Sequence, residues 1–409
     1  MKIGIEKLNL YAGRFCTDAL ELAALRGKGR KYAADEVMVG ARAVIPVFED
    51  AVTLAVNAAR PLLSPEDAKS VELLIVNTES AVDFGKPVST WVHRFCQLPP
   101  NCRNFELKHA CYGGTGALKM AALWVASGVR PGKKALVVSA DFTRPHLGDG
   151  LDFVGGGGAV AMLIGADPQV LEFEVDKAGY WTHEISDAFR PTSTIEQVNS
   201  QTSLYSYLDA LEGAFDHYTQ IVGPIDYPTC FKKHIYHAPF PGMTRQAHRA
   251  LMSNFDVPKA AIEESFQAKV LEGLHFARRI GTAYGASTFV SLLSLLTTAK
   301  DLAAGDEISL FSYGSGCQGE FYHGSIGPGA LRLARALELD RALDERATLP
   351  VEVYELNERL RKSFTDCGDY EPVRTGDHAY DALYEEYYAK RGLLVLKQVK
   401  DYHRTYEPS

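Results

Sequence analysis

Apolar residues along the chain form short uninterrupted runs, separated by segments with helical spacing. Strand-like runs are Val71–Asn77, Lys134–Ser139, Ala159–Ile164, His234–His237 and Glu307–Phe311. Runs that are apolar at nearly every position are typical of strands covered on both faces. Asp50–Ala59 spaces its apolar residues for one buried face, whereas Ala117–Ala126 and Ser287–Ala299 are apolar nearly all round and predict buried helices. The alternation predicts an α/β fold.

The two halves of the chain show a loose similarity. Each holds a buried strand that ends in a chemically reactive residue, then a buried helix and a glycine-rich strand edge. No linker rich in Pro, Gly or Ser divides them. We therefore predict two halves, residues 1–166 and 167–409, that meet near Asp167–Gly179. From about Leu331 the chain becomes charged, helical and then Tyr-rich, which predicts a surface layer rather than a further domain.

Composition excludes several classes of protein. The 409 residues include 43 Lys+Arg and 51 Asp+Glu, a formal net charge of −8, and 46% are hydrophobic. An acidic balance argues against binding nucleic acid or a membrane surface. The chain has no run of about 18 apolar residues that could span a membrane, and its charged start argues against a signal peptide. Seven cysteines without C-x-x-C spacing argue against a disulfide framework or a zinc cage. We expect a reduced, cytoplasmic protein.

Cys111 is the first candidate for chemistry. It follows a strand-like stretch, Phe105–Lys108, and precedes a glycine-rich turn and the buried helix at Ala117. The positive end of a helix lowers the pKa of a nearby thiol, and an exposed N–H group there can bind an oxyanion. The alternative, a small buried cysteine at a tight turn, is about equally compatible with position alone.

Glu79 and His237 occupy similar positions at the ends of apolar strands. Ligands of α/β proteins bind in the crevice at the carboxyl ends of strands, where a partly buried carboxylate has a raised pKa and suits a base. A solvated Glu79 and a core His237 are the alternatives. His234 lies three residues before His237, so on a strand the two rings would point to opposite faces and not chelate a metal.

Two glycine clusters invite comparison with nucleotide loops. Gly155–Gly158 leads into a strand rather than a helix and is followed by no Walker lysine, so we predict close packing against the floor of a site. Gly314-Ser315-Gly316-Cys317 lacks the flanking glycines of a nucleophile elbow. Exposed backbone N–H groups are the better use of that loop.

Cys, His and Glu at separate strand ends suit acyl transfer combined with carbon–carbon bond formation. A thiolate carries the acyl group, a carboxylate removes an α-proton, and a histidine binds a carbonyl oxygen. Thioesters favour this chemistry because they acidify the α-carbon.

Across essentially its whole length, the chain resembles the 3-hydroxy-3-methylglutaryl (HMG) synthases of the thiolase superfamily. The motifs that carry the resemblance, in the family's order, are Gly4-Ile5-Glu6, Asn77-Thr78-Glu79-Ser80, Phe105–Gly113, His237-Ala238-Pro239-Phe240 and Phe311–Gly316. The resemblance implies a duplicated thiolase fold, with βαβαβ halves in a five-layer α-β-α-β-α arrangement and the site between the halves. It also implies a homodimer.

Within that family the chain resembles the polyketide β-branching synthases, which act on acyl groups held on acyl carrier proteins. Strings that carry this similarity are Asp83–Lys86, Leu204–Asp209, Gly242-Met243, Glu320-Phe321-Tyr322 and Gly392–Lys397. The resemblance implies that Cys111 is the acylated nucleophile, Glu79 the general acid/base and His237 the residue that binds the acceptor. The N–H groups of Cys111 and Ser315 would form the oxyanion hole, beside Gly314 and an acyl pocket with Thr282 and Tyr284.

Two segments depart from the family pattern. Thr282 stands where the family usually has Asn, and Leu147–Val154 differs from the family's Glu-Pro-containing sequence. Both bear on the acyl group, so acetyl is the default donor and propionyl is the alternative.

The resemblance implies phosphopantetheine-borne substrates, a donor and an acceptor carrier protein, no metal and no tightly bound cofactor. Carrier proteins are acidic, so docking on this acidic chain needs a local basic patch. We predict that the entrance is formed by Pro239, Phe240, Arg245, Arg249, Arg26, Lys28 and Arg30.

Three other functions compete with this one. The nearest is a coenzyme A-dependent synthase of the mevalonate pathway. A thiolase-fold enzyme that decarboxylates malonyl units is another, although Glu79 supplies a base for an unactivated methyl group. The third is a non-catalytic carrier-protein binder, which an intact Cys111, Glu79 and His237 argue against.

Overall fold

The computed structural model describes residues 2–144, 147–149 and 152–409. Its strands are β1 Gly4–Tyr11, β2 Phe15–Asp18, β3 Ala41–Val44, β4 Val71–Asn77, β5 Arg103–Leu107, β6 Lys134–Phe142, β7 Gly157–Gly165, β8 Leu171–Glu172, β9 Ala178–Thr182, β10 Ala188–Phe189, β11 Gln197–Val198, β12 Lys233–Tyr236, β13 Glu307–Gly314, β14 Gln318–Ile326, β15 Ala347–Thr348, β16 Leu394–Lys400 and β17 His403–Pro408. Its helices are α1 Ala19–Leu25, α2 Ala51–Ala59, α3 Pro65–Ser70, α4 Val88–Phe95, α5 Gly113–Ala126, α6 Ser200–Val222, α7 Tyr227–Cys230, α8 Pro241–Ser253, α9 Lys259–Lys269, α10 Ala277–Ile280, α11 Ser287–Thr298, α12 Ala330–Ala336, α13 Leu339–Asp344, α14 Val351–Phe364 and α15 His378–Tyr387. A π-helical turn covers Tyr32–Val37, and 3-10 turns cover Arg60–Leu62, Asp152–Val154, Leu271–Leu274 and Tyr284–Ala286.

The apolar runs of the sequence form the centre of the molecule. All five predicted strand runs form strands, namely β4, β6, β7, β12 and β13, and the three predicted helices form α2, α5 and α11. Every residue of β7 is buried, as is every residue of α2. The core packs these strands against α2, α5 and α11, as continuous apolar runs predict.

A large mixed sheet contains the same four-strand arrangement twice. In the first half β1, β7, β6 and β4 lie side by side; in the second, β9, β14, β13 and β12 do. The first three strands of each set pair antiparallel, and the last pair, β6 with β4 or β13 with β12, is parallel. A helix, α5 or α11, enters the core before β6 or β13. The loose similarity of the two halves therefore corresponds to a repeated topology.

The short strand β8 joins the two sets of strands. Leu171 and Glu172 pair with β1 on one side and with Ser325 and Ile326 of β14 on the other. The result is one hydrogen-bonded sheet of ten strands. The predicted boundary at 166/167 lies just before β8 and stays a prediction.

The C-terminal segment forms a layer that covers the first half. β15 pairs with β2, and Leu396 at the centre of β16 donates its N–H to the carbonyl of Phe48. Tyr384 and Tyr388 pack edge-on against the ring of Phe48. The C-terminal layer thus packs against residues near the N-terminus, although the layer itself belongs to the second half of the sequence. Among the described helices, none is long and apolar enough to cross a membrane.

Candidate active site

Cys111 lies on the short turn between β5 and α5. The turn is packed so tightly that its glycines are required: a Cβ on Gly113 would lie 1.9 Å from the Asn77 side chain, and one on Gly114 would lie 2.1 Å from the Gly285 carbonyl. The start of α5 is thereby wedged between the end of β4 and the Tyr284–Ala286 turn of the second half. This packing places Cys111 where the two halves meet.

Glu79 is the direct neighbour of the thiol. Cys111 Sγ lies 3.9 Å from Glu79 Oε1. Burial raises the pKa of Glu79 to about 8, and burial together with the charge of Glu79 raises the pKa of Cys111 well above its usual value. The prediction of a lowered thiol pKa is therefore wrong, because burial outweighs the helix N-terminus. Burial therefore favours the protonated thiol, and Glu79 Oε1 is placed to take its proton.

Asp141, which the sequence argument did not select, holds the backbone of Glu79. It is completely buried at the carboxyl end of β6, and its Oδ1 accepts hydrogen bonds from the Glu79 N–H at 2.8 Å and from Thr78 Oγ1 at 3.0 Å. Burial also raises its pKa above the ordinary value. A carboxylate at a strand end is the signal that identified Glu79, and it could have identified Asp141.

A second group that the sequence argument does not select comes from the segment between β9 and α6. Residues 183–199, which we name the strap, connect β9 to α6 and include the hairpin β10–β11. From the strap, Arg190 donates to the carbonyl oxygen of Glu79 at 3.0 Å. The same guanidinium donates to Glu196 and to the Tyr284 hydroxyl, each at 2.9 Å. No sequence pattern distinguishes Arg190 from other polar residues of this segment.

His237 is fully buried, and neither of its ring nitrogens has a hydrogen-bond partner among the described residues. Its backbone is fixed by two hydrogen bonds: its N–H donates to Phe311 O at 2.7 Å, and its carbonyl accepts from the Tyr207 hydroxyl at 2.8 Å. Burial lowers the pKa of His237 to about 3, so the ring is neutral near pH 7. A neutral imidazole with an unpaired N–H is suited to donate to a carbonyl oxygen.

His234 lies in a different environment. Its Nδ1 is 2.8 Å from Ser309 Oγ, and its ring packs against Tyr227 at 4.6 Å between centroids. The two histidines thus differ as their spacing on a strand predicts. In the part of the chain that the structure describes, no group of three or more His, Cys, Asp or Glu side chains could hold a metal ion.

The loop after β13 packs directly against the Cys111 turn. A Cβ on Gly314 would lie 2.6 Å from both the Cβ and the backbone nitrogen of Tyr112. The buried Asp187 of the strap accepts hydrogen bonds from Gly316 N–H at 3.0 Å and from the Tyr313 hydroxyl at 2.8 Å. These hydrogen bonds fix the loop on both sides of Ser315. The assignment of an oxyanion-binding N–H to Ser315 stays a prediction.

Thr282 follows a tightly packed glycine, Gly281. Gly281 has φ +74°, and a Cβ on it would lie 2.0 Å from the carbonyl oxygen of Gly155. The predicted close packing of the Gly155–Gly158 cluster is therefore correct. The hydroxyl of Tyr284, predicted to line the acyl pocket, donates to Glu196 at 2.9 Å. In the segment Leu147–Val154, which departs from the family pattern, residues 150 and 151 lie outside the described residues.

Some residues of the predicted entrance are exposed to solvent, and others form hydrogen bonds or ion pairs within the protein. Lys28, Arg30 and Arg249 are exposed, and Pro239 and Phe240 are half-buried beside His237. Arg245 donates to the Asp35 carbonyl at 3.3 Å, which brings α8 against the π-helical turn that follows Arg30. The Arg26 side chain is only 11% exposed and forms ion pairs with Asp152 at 2.9 Å and Glu355 at 2.7 Å. These ion pairs tie Arg26 to the fold, and its place at the entrance stays a prediction.

Comparison with known proteins assigns the chain to a family. The model for the N-terminal part of hydroxymethylglutaryl-coenzyme A synthase matches residues 1–169, and the model for its C-terminal part matches residues 256–407. The chain belongs to the hydroxymethylglutaryl synthase family. It is therefore an enzyme of the class that transfers acyl groups with formation of a carbon–carbon bond.

Relatives of this synthase come from two branches. It is 37% identical to the polyketide biosynthesis 3-hydroxy-3-methylglutaryl-ACP synthase PksG of Bacillus subtilis, over 86% of this chain and 87% of that protein. It is 33% identical to the hydroxymethylglutaryl-CoA synthase of Enterococcus faecalis, over 87% and 91%.

Among solved structures, the synthase is similar to the HMG synthase of the curacin biosynthetic pathway, with a TM-score of 0.94, 35% identity and full coverage of both chains. The same protein has been solved in complex with an acetyl donor-ACP, at the same similarity. The predicted thiolase fold is thus confirmed. The roles of individual site residues stay predictions.

Proposed function

We propose that this synthase is a polyketide β-branching enzyme that adds an acetyl group from a donor carrier protein to the β-ketone of a carrier-bound polyketide intermediate. The observation that carries the proposal is the thiol–carboxylate pair: Cys111 Sγ lies 3.9 Å from Glu79 Oε1, where the two halves of the chain meet. The neutral His237, with both nitrogens unpaired, supplies a binding group for an acceptor carbonyl.

Acylation comes first. The ionised Glu79 takes the proton of Cys111 as sulfur attacks the acetyl thioester, and the N–H groups of Cys111 and Ser315 bind the oxyanion. The tetrahedral intermediate expels the phosphopantetheine sulfur, which takes the proton from Glu79 and leaves as a thiol. A Cys111 acetyl thioester remains, and Glu79 is ionised again.

Condensation and hydrolysis follow. Glu79 removes a proton from the acetyl methyl group, and the resulting enolate attacks the β-ketone of the acceptor. His237 donates to the thioester carbonyl beside that ketone, and the new alkoxide takes the proton that Glu79 removed and becomes a tertiary alcohol. Water then cleaves the Cys111 thioester and leaves a carboxymethyl branch. The substrates supply the chemistry through their phosphopantetheine thioesters, and the proposal needs no metal or tightly bound cofactor.

Similarity to PksG and to the curacin synthase supports carrier proteins, rather than coenzyme A, as the donor and acceptor partners. Charge supports it as well. Lys28, Arg30 and Arg249 are exposed on adjoining elements, although the chain carries a net −8. Pro239 and Phe240 would lead from this basic patch to His237.

The proposal extends to assembly and location. β5 ends the large sheet and pairs only with β4 among the described strands, which leaves one edge for a second copy of the chain. We propose a homodimer on this basis. All seven cysteines are free, which supports a reducing cytoplasm.

Intact-protein mass spectrometry tests the function. The enzyme is mixed separately with acetyl-carrier protein, propionyl-carrier protein and acetyl-CoA, with Cys111→Ala as control. We expect a mass gain from the acetyl-carrier protein that is absent in the variant and slow with acetyl-CoA.

Other outcomes separate the alternatives. Rapid gain from acetyl-CoA alone would indicate a coenzyme A-dependent synthase, as in the Enterococcus faecalis relative. No gain from any donor would indicate a non-catalytic binder. Carbon dioxide released from malonyl-carrier protein would indicate a decarboxylating enzyme.

A further inference from the structure

Arg190 and Glu196 of the strap lie beside Glu79, and the proposed mechanism uses neither of them. Arg190 Nη1 donates to the Glu79 carbonyl oxygen at 3.0 Å and to Ser80 Oγ at 3.4 Å. Arg190 Nη2 donates to Glu196 Oε2 at 2.9 Å. The Tyr284 hydroxyl bridges to the other carboxylate oxygen, Oε1, at 2.9 Å. Among the described residues, none of the hydrogen bonds that Arg190 donates goes to the Glu79 carboxylate itself.

This arrangement has a clear electrostatic consequence. A lone arginine next to a base would stabilise its ionised form and weaken it as a proton acceptor. Arg190 and Glu196 are 14% and 20% exposed, so their charges act on Glu79 through a medium with little water. Because Glu196 offsets the positive charge, Arg190 can hold the backbone of Glu79 without ion pairing with its carboxylate.

We propose that Arg190 and Glu196 act as one positioning pair, in which Arg190 fixes the Glu79 backbone and Glu196 neutralises Arg190 so that Glu79 remains an effective base. The inference rests on the proposed function, because it assigns the pair to the reaction of Cys111 with Glu79. The charged or titratable groups that face Glu79 in the described part of the chain are Cys111, Asp141, Arg190, Glu196 and Tyr284. Of these, Arg190 alone is positive.

The pair predicts opposite effects for its two members. Glu196→Gln leaves the charge of Arg190 uncompensated, which lowers the pKa of Glu79. Arg190→Met leaves the charge of Glu196 uncompensated, which raises it. The double variant removes both charges and restores the parent's pH midpoint, although the lost hydrogen bonds to Glu79 still slow the reaction. A merely structural pair would lower rates or stability without moving the midpoint in opposite directions.

The test measures the rate of Cys111 alkylation by iodoacetamide between pH 6 and 10 in the full-length enzyme. Because the ionised Glu79 takes the thiol proton as the sulfur attacks, the pH midpoint of this rate reports the ionisation of Glu79. We expect the pH midpoint of the alkylation rate to fall by about one unit in Glu196→Gln and to rise by about one unit in Arg190→Met. Below the midpoint, each unit corresponds to about a tenfold change in the ionised fraction of Glu79. Arg190→Lys, which keeps the charge but not the planar fork, should keep the midpoint and lose rate. The exposed Arg341→Gln, which pairs only with Glu338 and Glu345 among the described residues, is the control for net charge.

Unchanged midpoints, or shifts in the same direction, would overturn the proposal. Should Arg190→Met fail to fold, Glu196→Gln and Arg190→Lys decide alone: a lower midpoint in the first and a parental one in the second support it, and any other pair of results refutes it. Alkylation needs no acyl donor. Failure of the parent to accept acetyl from any donor would therefore count against the proposed function and leave this test intact.

Discussion

Glu79 and His237 occupy corresponding positions in the two halves of the molecule. Each lies within two residues of the end of a strand, β4 or β12, that runs parallel to the neighbouring strand β6 or β13. The repeated topology thus holds Glu79 in one half at the position that His237 has in the other. Cys111 has no such counterpart, since Tyr284 precedes α11 where Cys111 precedes α5.

The first prediction concerns pH. Acetyl transfer to Cys111 requires Glu79 to be ionised, and its pKa of about 8 lies above the ordinary value. The acylation rate should therefore rise about tenfold per unit as pH increases toward 8 and then level off. Stopped acylation reactions followed by mass spectrometry measure this profile. In Glu79→Gln the rise should be absent; a parental profile in that variant would remove Glu79 from the step.

Glu79→Gln should also stabilise the protein. A carboxyl group whose pKa is raised on folding binds its proton more tightly in the folded state, so its ionisation destabilises the fold increasingly as pH rises from about 4.5 to 8. Removing it should increase the free energy of unfolding at pH 8 by about 1–3 kcal/mol, with little change at pH 4.5. Denaturant titrations at both pH values test the sign, and equal effects at the two would contradict it.

His237→Ala should separate the two halves of the reaction. The acyl-enzyme should form at the parental rate, while condensation with the acceptor falls on the order of 10²–10³-fold, since one preorganised hydrogen-bond donor is lost. Because the pKa of His237 is about 3, condensation should show no histidine titration between pH 5 and 8. Loss of acylation in a folded His237→Ala protein would assign His237 to the first step instead.

Gly314→Ala tests the contact that aligns the oxyanion-binding loop with the nucleophile. The added methyl group would lie 2.6 Å from the Tyr112 backbone, so the Cys111 turn must shift. We expect slower acylation and a stability loss of about 1–3 kcal/mol. Gly273→Ala is the matched control, because its Cβ would meet nothing closer than 3.6 Å. Parental acylation in Gly314→Ala would exclude this alignment.

Charge reversal tests carrier docking. Arg249→Glu and Lys28→Glu should raise the KM for the acetyl-carrier protein about tenfold, and more at low salt, with acylation by acetyl-CoA unaffected. Equal effects on both donors would show a general defect. Arg26→Glu should instead destabilise the fold, because it breaks the ion pairs with Asp152 and Glu355.

The helices and strands could be predicted from the sequence because each signal is local. Signals of the same kind select Glu79, Cys111 and His237, whose roles stay predictions. Uninterrupted apolar runs identify buried strands, and Glu79, Cys111 and His237 stand where strands end or a helix begins. Asp141 carries the same signal at the end of β6 and was overlooked. Arg190 carries none, since its hydrogen bond to the Glu79 carbonyl joins residues that lie 111 positions apart in the chain.

Two properties depend on partners that are distant in the chain. The pKa of Cys111 follows from burial beside Glu79, 32 residues away, and not from its place before α5, so the prediction of a lowered pKa is wrong. The ion pairs of Arg26 with Asp152 and Glu355 cannot be read from its neighbours in sequence either. Local pattern identifies which residue types are available, and tertiary packing decides their charge and their partners.

The two-residue strand β8 restricts how this enzyme can admit its substrates. Because β8 bonds to β1 and β14 at once, swinging one half away from the other would tear a continuous ladder of backbone hydrogen bonds. We therefore expect the two halves to keep their relative position during turnover and to act as a fixed frame. A long, thin prosthetic arm that delivers its thioester from outside suits such a frame, whereas a substrate that needed the halves to part would be shut out.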